Sequence, residues 1–352
     1  MRTVRLRDRR RLGLSVGLIL ALLITAVVTA VVPEQAVADD KVAMELRSAM
    51  KKDPTTSFWV RFKDRPDLTE AKGEKDWAKR GKAVLKELQD TAARSQAGVI
   101  AQLKASGADY RAFHASNAVH VRQGTLEVAE RLATEGEVAS IGVDHSYDLP
   151  EPVKSKRVPA VRSAAGPVEW GVEAIGADRV WDDFRTRGGG IVVGSIDSGA
   201  QSDHPALAGS YRGNKGDGTF DHDYNWFDPA KVCDDSGVPC DNNGHGTHTI
   251  GTMTGDGGEG NRIGVAPGAQ WIAAKGCESI NCSESALLAS AEWMLAPTDL
   301  GGQDPRPELR PHIVNNSWGN DNGPITEPWF SDVISAWTAA GMFPMFSNGN
   351  VP

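Results

Sequence analysis

The chain has 352 residues, 40% of them apolar and 24% charged, which leaves room for about two domains and excludes a wholly disordered chain. Its formal charge of −8, from 38 basic and 46 acidic residues, argues against a general nucleic-acid binder. That average hides a division: from Pro167 onward there are 10 Lys+Arg against 25 Asp+Glu, and 28 of the 38 glycines.

Arg2, Arg5, Arg7, Arg9, Arg10 and Arg11 form a basic cluster, followed by an uncharged apolar run from Leu12 to Val32 and then Ala36-Val37-Ala38. This order predicts a secretory signal cleaved after Ala38, hence export and no stable membrane association afterwards. An uncleaved anchor is the alternative, since the run is long enough to cross the bilayer's apolar core of about 30 Å. Arg9-Arg10-Arg11 leaves the twin-arginine route open beside the general one.

Ser57 to Phe62 reads as a strand. Leu85, Leu88, Ala92, Val99 and Leu103 recur at helical spacing, with Gln96 interrupting the stripe. Ala118–Val121 is a second strand, Leu126–Glu135 a second helix and Val138–Val143 a third strand. Together they predict a small module with a sheet and two helices on one face. His114 and His120 read as structural histidines. A stretch rich in proline, lysine, arginine and serine then runs from Pro150 to about Gly166, an exposed linker open to proteolysis.

The chemistry lies in the acidic half. Ile191-Val192-Val193-Gly194-Ser195-Ile196 is a continuous apolar run, as in strands buried on both faces of a parallel sheet. Asp197 stands at its carboxyl end, where α/β proteins place their sites. His245 sits between Gly244 and Gly246, leaving its imidazole open to a partner. A neutral imidazole takes a proton through one nitrogen while a carboxylate on the other N–H sets its tautomer, so Asp197 and His245 are the acid–base half of a nucleophilic triad. His245 and His248 lack the glutamate and third ligand of a zinc helix, and His248 reads as a packed side chain.

Gly255 to Gly260 matches G-x-G-x-x-G, but it follows a helix, and Asp256 and Glu259 would repel a pyrophosphate. Outside the cytosol the cysteines Cys233, Cys240, Cys277 and Cys282 are disulfide candidates. Two local bridges are the first choice of three connectivities, with a four-cysteine zinc site as the alternative. Asp221, Asp223, Asp234, Asp235 and Asp241 read as a solvated acidic loop, with a structural calcium site as the alternative.

Ile191-Val192-Val193-Gly194-Ser195-Ile196-Asp197-Ser198-Gly199, then Gly244-His245-Gly246-Thr247-His248, Asn315-Asn316-Ser317-Trp318-Gly319 and Phe346-Ser347-Asn348-Gly349-Asn350, resemble the subtilisin-like serine peptidases. The stretch from Leu295 to Trp318 is most similar to the bacillopeptidase F branch. The resemblance implies a subtilisin-like α/β fold, a parallel sheet flanked by helices, preceded by a small α/β prodomain. It implies residues 1–38 as signal peptide, 39–150 as inhibitor-like propeptide, 151–168 as processing region and 169–352 as peptidase domain. Asp197 is then the orienting carboxylate, His245 the general base and Asn350 the oxyanion donor. Ser317, Trp318 and Gly319 bind an extended peptide. The family's nucleophile lies in a Gly-Thr-Ser-Met-Ala-like motif beyond the asparagine, so the resemblance implies a chain truncated before its serine and inactive alone. No cofactor is needed for this chemistry. The implied partners are protein or peptide substrates and the chain's own propeptide, in a secreted monomer. A non-catalytic peptide- or protease-binding protein on the same fold is the second reading.

Overall fold

The computed structural model describes residues 40–149, 168–235, 237–258, 261–319 and 328–350. The expected signal peptide and the expected processing region, apart from Val168, lie outside these residues.

Side-chain alternation dictates the first sheet. In β1 (Thr56–Phe62), Phe58, Val60 and Phe62 face one way and Trp59 and Arg61 the other, the period of two that a pleated strand imposes. The strand is buried on both faces, because helices cover one side and the second half of the chain covers the other. It lies between β3 (Ala118–Gly124) and β4 (Val138–Val143), with β2 (Asp109–Phe113) outermost beyond β3, all antiparallel. Beneath Phe58, Val60 and Phe62 pack α1 (Met44–Lys52), α4 (Ala97–Ser106) and α5 (Leu126–Ala133), through Leu46, Val99, Leu103 and Leu132.

The helical arrangement differs from the expected pair. The apolar stripe read between residues 76 and 106 is two helices, α3 (Trp77–Ser95) and α4, which part at Gln96. The buried Gln96 amide donates to the Phe113 carbonyl at 2.8 Å and to Asn117 Oδ1 at 2.9 Å. A buried amide needs such partners, so the polar residue that breaks the stripe also sets the bend. α1 and a short α2 (Thr69–Gly73) complete the helices described in this module. His120 is buried and pairs with Asp144 at 2.9 Å, while His114 pairs with Glu292 at 3.1 Å.

The second half is a parallel sheet in the order β11-β10-β6-β8-β7, flanked by helices. Its strands are β6 (Val192–Asp197), β7 (Trp226–Phe227), β8 (Gln270–Lys275), β10 (Ile313–Asn316) and β11 (Phe343–Phe346). The helices are α6 (Trp170–Ala174), α7 (Ala177–Phe184), α8 (His245–Thr254), α9 (Glu284–Leu295) and α10 (Pro328–Ala339). Two further short strands, β5 (Ser146–Asp148) and β9 (Asn281–Ser283), pair antiparallel and tie the halves together. Neither carries enough alternation to be seen in sequence.

α9 shows why the halves share a core. It is buried nearly all round, at Ala286, Leu287, Leu288, Ala289 and Ala291 through Leu295 apart from Glu292, as expected of a helix covered on every side. Its two acidic side chains meet the first sheet: Glu284, fully buried, takes Arg61 Nη2 at 2.8 Å, and Glu292 accepts the backbone N–H groups of His114 and Ala115. Removing one partner of a buried ion pair leaves desolvated charge behind. Arg61→Ala is therefore expected to lower unfolding free energy by about 3 kcal/mol, read from the urea midpoint.

Candidate active site

Asp197 is the last residue of β6 and is 1% exposed. Its Oδ1 lies 2.7 Å from His245 Nδ1 and accepts the Ser198 N–H at 2.7 Å, while Oδ2 accepts Thr249 Oγ1 at 3.2 Å. A carboxylate so occupied presents one rotamer. The imidazole, at the first position of α8, is mostly buried but not sealed. Its hydrogen bond to Asp197 raises the His245 pKa above the usual 6.5, against the opposing effect of burial. With Nδ1 held by Asp197, the other ring nitrogen is left for a proton acceptor's work.

Close backbone approach makes this geometry possible. Gly246 passes so near the end of β6 that a Cβ there would lie 2.1 Å from the Gly199 carbonyl oxygen. Gly199, at φ +124°, would place a Cβ 2.0 Å from the Cys240 carbonyl oxygen. Both positions therefore exclude side chains for reasons of space.

Asp241 joins the two loops, a role its place in an acidic stretch did not reveal. Rather than lying in a solvated loop, its Oδ1 accepts Ser198 Oγ at 2.9 Å and the Gly244 N–H at 2.8 Å. Its Oδ2 accepts the N–H and hydroxyl of Thr247 at 2.8 and 2.7 Å. Burial pushes the Asp241 carboxyl up, but the hydrogen bonds from Thr247, Gly244 and Ser198 outweigh it and hold the pKa below the usual value. Ser198 Oγ also accepts the Gly246 N–H at 2.9 Å, so this nearby serine is committed to the scaffold. Lys275, buried at the end of β8 in register with Asp197, donates to the Ser198 carbonyl and to Asn242 Oδ1. Burial lowers its pKa, and the acidic groups around it work against that. One signal for Asp241 was available: a helix that starts at His245 needs a capping acceptor just before it.

The other assigned residues lie along the same ends of the strands. Ser317 follows β10, and its Oγ accepts from Asn315 Nδ2 at 2.9 Å. Trp318 is buried against Tyr147, Trp329, Phe330 and Phe346. Gly319 forms an antiparallel bridge with Asp148. β5 is thus laid between β9 on one side and Gly319 on the other, with Leu149 N–H bonded to the Ile280 carbonyl at 2.8 Å. Asn350 follows β11 with an exposed side chain; among the described residues no hydrogen bond joins it to the Asp197–His245 pair. Cys233 is bonded to Cys240 and Cys277 to Cys282. The first bridge closes the loop that delivers Asp241, and the second sits beside Tyr147, which pairs with Cys282. His248 is exposed rather than packed, because it falls on the outer face of α8. Among the described residues, no group of three or more His, Cys, Asp or Glu side chains is arranged to hold a metal ion.

Residues 188–352 match the model of the subtilase family, peptidase S8. This part of the chain is a subtilase. Bacillopeptidase F of Bacillus subtilis strain 168 is 34% identical over 336 residues, covering 88% of this chain and 23% of that protein. So long an alignment carries the likeness into the N-terminal module. Minor extracellular protease Vpr of the same organism is 30% identical over 203 residues, 56% of this chain and 22% of that one. The chain thus spans less than a quarter of the length of either relative. Among solved structures, fervidolysin from Fervidobacterium pennivorans, a keratinolytic enzyme related to subtilisin, shares the fold at a TM-score of 0.51 and 17% identity, covering 85% of this chain and 40% of that one. Among the described residues, no helix is long and apolar enough to cross a membrane.

Proposed function

We propose that this subtilase is a secreted serine endopeptidase, made as a precursor, that cleaves proteins through a triad of Asp197, His245 and a serine. The observation that carries this reading is the 2.7 Å Asp197–His245 hydrogen bond at the carboxyl end of a buried parallel strand. His245 takes the proton of the serine hydroxyl as it attacks the scissile carbonyl, then returns it to the leaving amine. Asp197 holds the tautomer and stabilises the imidazolium. Asn350 supplies a side-chain N–H to the oxyanion, and Ser317-Trp318-Gly319 pair with the extended substrate. No cofactor takes part.

Residues 39–150 serve as the intramolecular inhibitor. Support comes from β5, which occupies the place of a bound peptide strand between β9 and Gly319 and seats Tyr147 on Trp318 and Phe330. Cleavage within 151–168 then breaks the covalent link between inhibitor and enzyme. The family match favours this reading over a non-catalytic binding protein.

A serine-directed phosphonate tests it. The chain extended through a Gly-Thr-Ser-Met-Ala-like segment is expected to be labelled and to hydrolyse casein once the N-terminal module is removed. The 352-residue chain is expected to do neither, and His245→Ala to abolish labelling of the extended form. An extended, folded chain that takes no label would overturn the proposal.

A further inference from the structure

We propose that the first turn of α3, Trp77 to Gly81, is a second anchor at the far end of the parallel sheet, which retains the N-terminal module after the chain between the two halves is cut. The inference rests on the inhibitor reading above and adds to it what governs release.

The anchor is built from both halves. The Trp77 ring lies over the Arg310 guanidinium at 3.6 Å and stacks on His312 with ring centroids 4.7 Å apart. Its indole N–H donates to the Glu308 carbonyl at 3.1 Å, and its own carbonyl accepts Arg310 Nη2 at 2.8 Å. Arg80 Nε donates to the Ala339 carbonyl at 2.5 Å and its Nη2 to the Thr338 carbonyl at 2.9 Å. Arg310 is 1% exposed, and its remaining donors go to the carbonyls of Pro307 and Ala340. The guanidinium is thus held by backbone carbonyls and an aromatic face. Undocking would expose that face and strip one carbonyl from a buried cation.

Position gives the anchor its consequence. Arg310 and His312 precede β10, and Thr338 to Ala340 precede β11, so the anchor grips the amino ends of the parallel strands. Asp197 and the β5 seat lie at the carboxyl ends. A peptide that displaces residues 146–149 from the cleft therefore leaves the anchor untouched. Contacts carried on one folded body, here the cleft strand, the α9 core and the anchor, rebind each other's losses, which raises retention by about 10²–10⁴ over any one contact alone. Severing the connecting chain alone does not free the module.

Gly81 offers a selective probe. A Cβ at this position would lie 2.2 Å from Arg310 Nη1 and 2.9 Å from Cζ, and the guanidinium is held by its carbonyls. Alanine also favours the helix itself over glycine, so Gly81→Ala strikes the docking and not the module's fold.

The experiment uses the full chain with a site-specific protease sequence placed within residues 151–167, cut to completion and followed for release of the module by dilution and gel filtration. The cut wild-type chain is expected to hold its module, with Gly81→Ala and Trp77→Ala each releasing it about 10-fold faster or more. Tyr147→Ala, in the cleft, is expected to speed release independently. Unchanged release in both anchor variants while Tyr147→Ala accelerates it would overturn the anchor and leave the inhibitor reading standing. Wild-type release as soon as the chain is cut would overturn it too. Because release is read without catalysis, a failed phosphonate test does not affect the result. Melting of each uncut variant shows whether it is folded, and Arg80→Ala, which removes only two hydrogen bonds, replaces any that is not.

Discussion

Under the proposed triad mechanism, Asp197→Asn in a catalytically competent form is expected to lower kcat about 10⁴-fold with little change in KM. The amide cannot stabilise the imidazolium, and it stabilises the wrong tautomer of His245. The pH profile carries the sharper signature. His245 must be neutral to accept a proton, and its hydrogen bond to Asp197 raises its pKa above 6.5. Activity of the wild type is therefore lost as pH falls through that raised value, and the acid limb of kcat/KM lies above 6.5. With Asn at 197 the favourable charge is gone while the burial that opposes protonation remains. The acid limb of the residual activity is then expected to move to lower pH. An unchanged acid limb would mean that some group other than His245 titrates.

Asp241→Ala is expected to lower kcat about 10²-fold, because it frees the loop after β6 from the start of α8 and lets the imidazole drift. The carboxylate gathers Ser198 Oγ, the Gly244 N–H and both donors of Thr247, and alanine leaves them without it. Stability is expected to fall by about 2–4 kcal/mol, as buried donors lose a charged acceptor. Asp241→Asn keeps one oxygen as acceptor and is expected to recover part of both losses. The two effects separate in measurement. A lower melting temperature with kcat intact would reduce Asp241 to a structural residue, whereas a kcat loss with constant KM at a temperature where the variant is folded supports its positioning of His245.

The contrast between Asp197 and Asp241 shows where sequence reading stops. Asp197 is legible because a strand buried on both faces must be continuously apolar, and a carboxylate at its end breaks that run. Gly246 is legible because it flanks His245 in a compact motif. Asp241 sits among Asp234, Asp235 and other polar residues, and beyond its place just before a helix nothing local separates it from solvated neighbours. Its meaning arises from Ser198, 43 positions earlier. Gln96 is an intermediate case: the broken stripe is visible, but the helix break depends on acceptors at Phe113 and Asn117.

The amino-acid sequence by itself determined the buried strand that ends in Asp197, three strands of the N-terminal module, and the motifs around Asp197 and His245 that point to the subtilase family. These rest on periodicity and short motifs, which act over a few residues. Tertiary structure alone decided that α9 is shared by both halves, that β5 fills the strand position beside Gly319, and that Trp77 and Arg310 meet at the far end of the sheet. Those contacts join residues more than a hundred positions apart, where each partner's chemistry is ordinary until burial removes water and makes the other a needed partner.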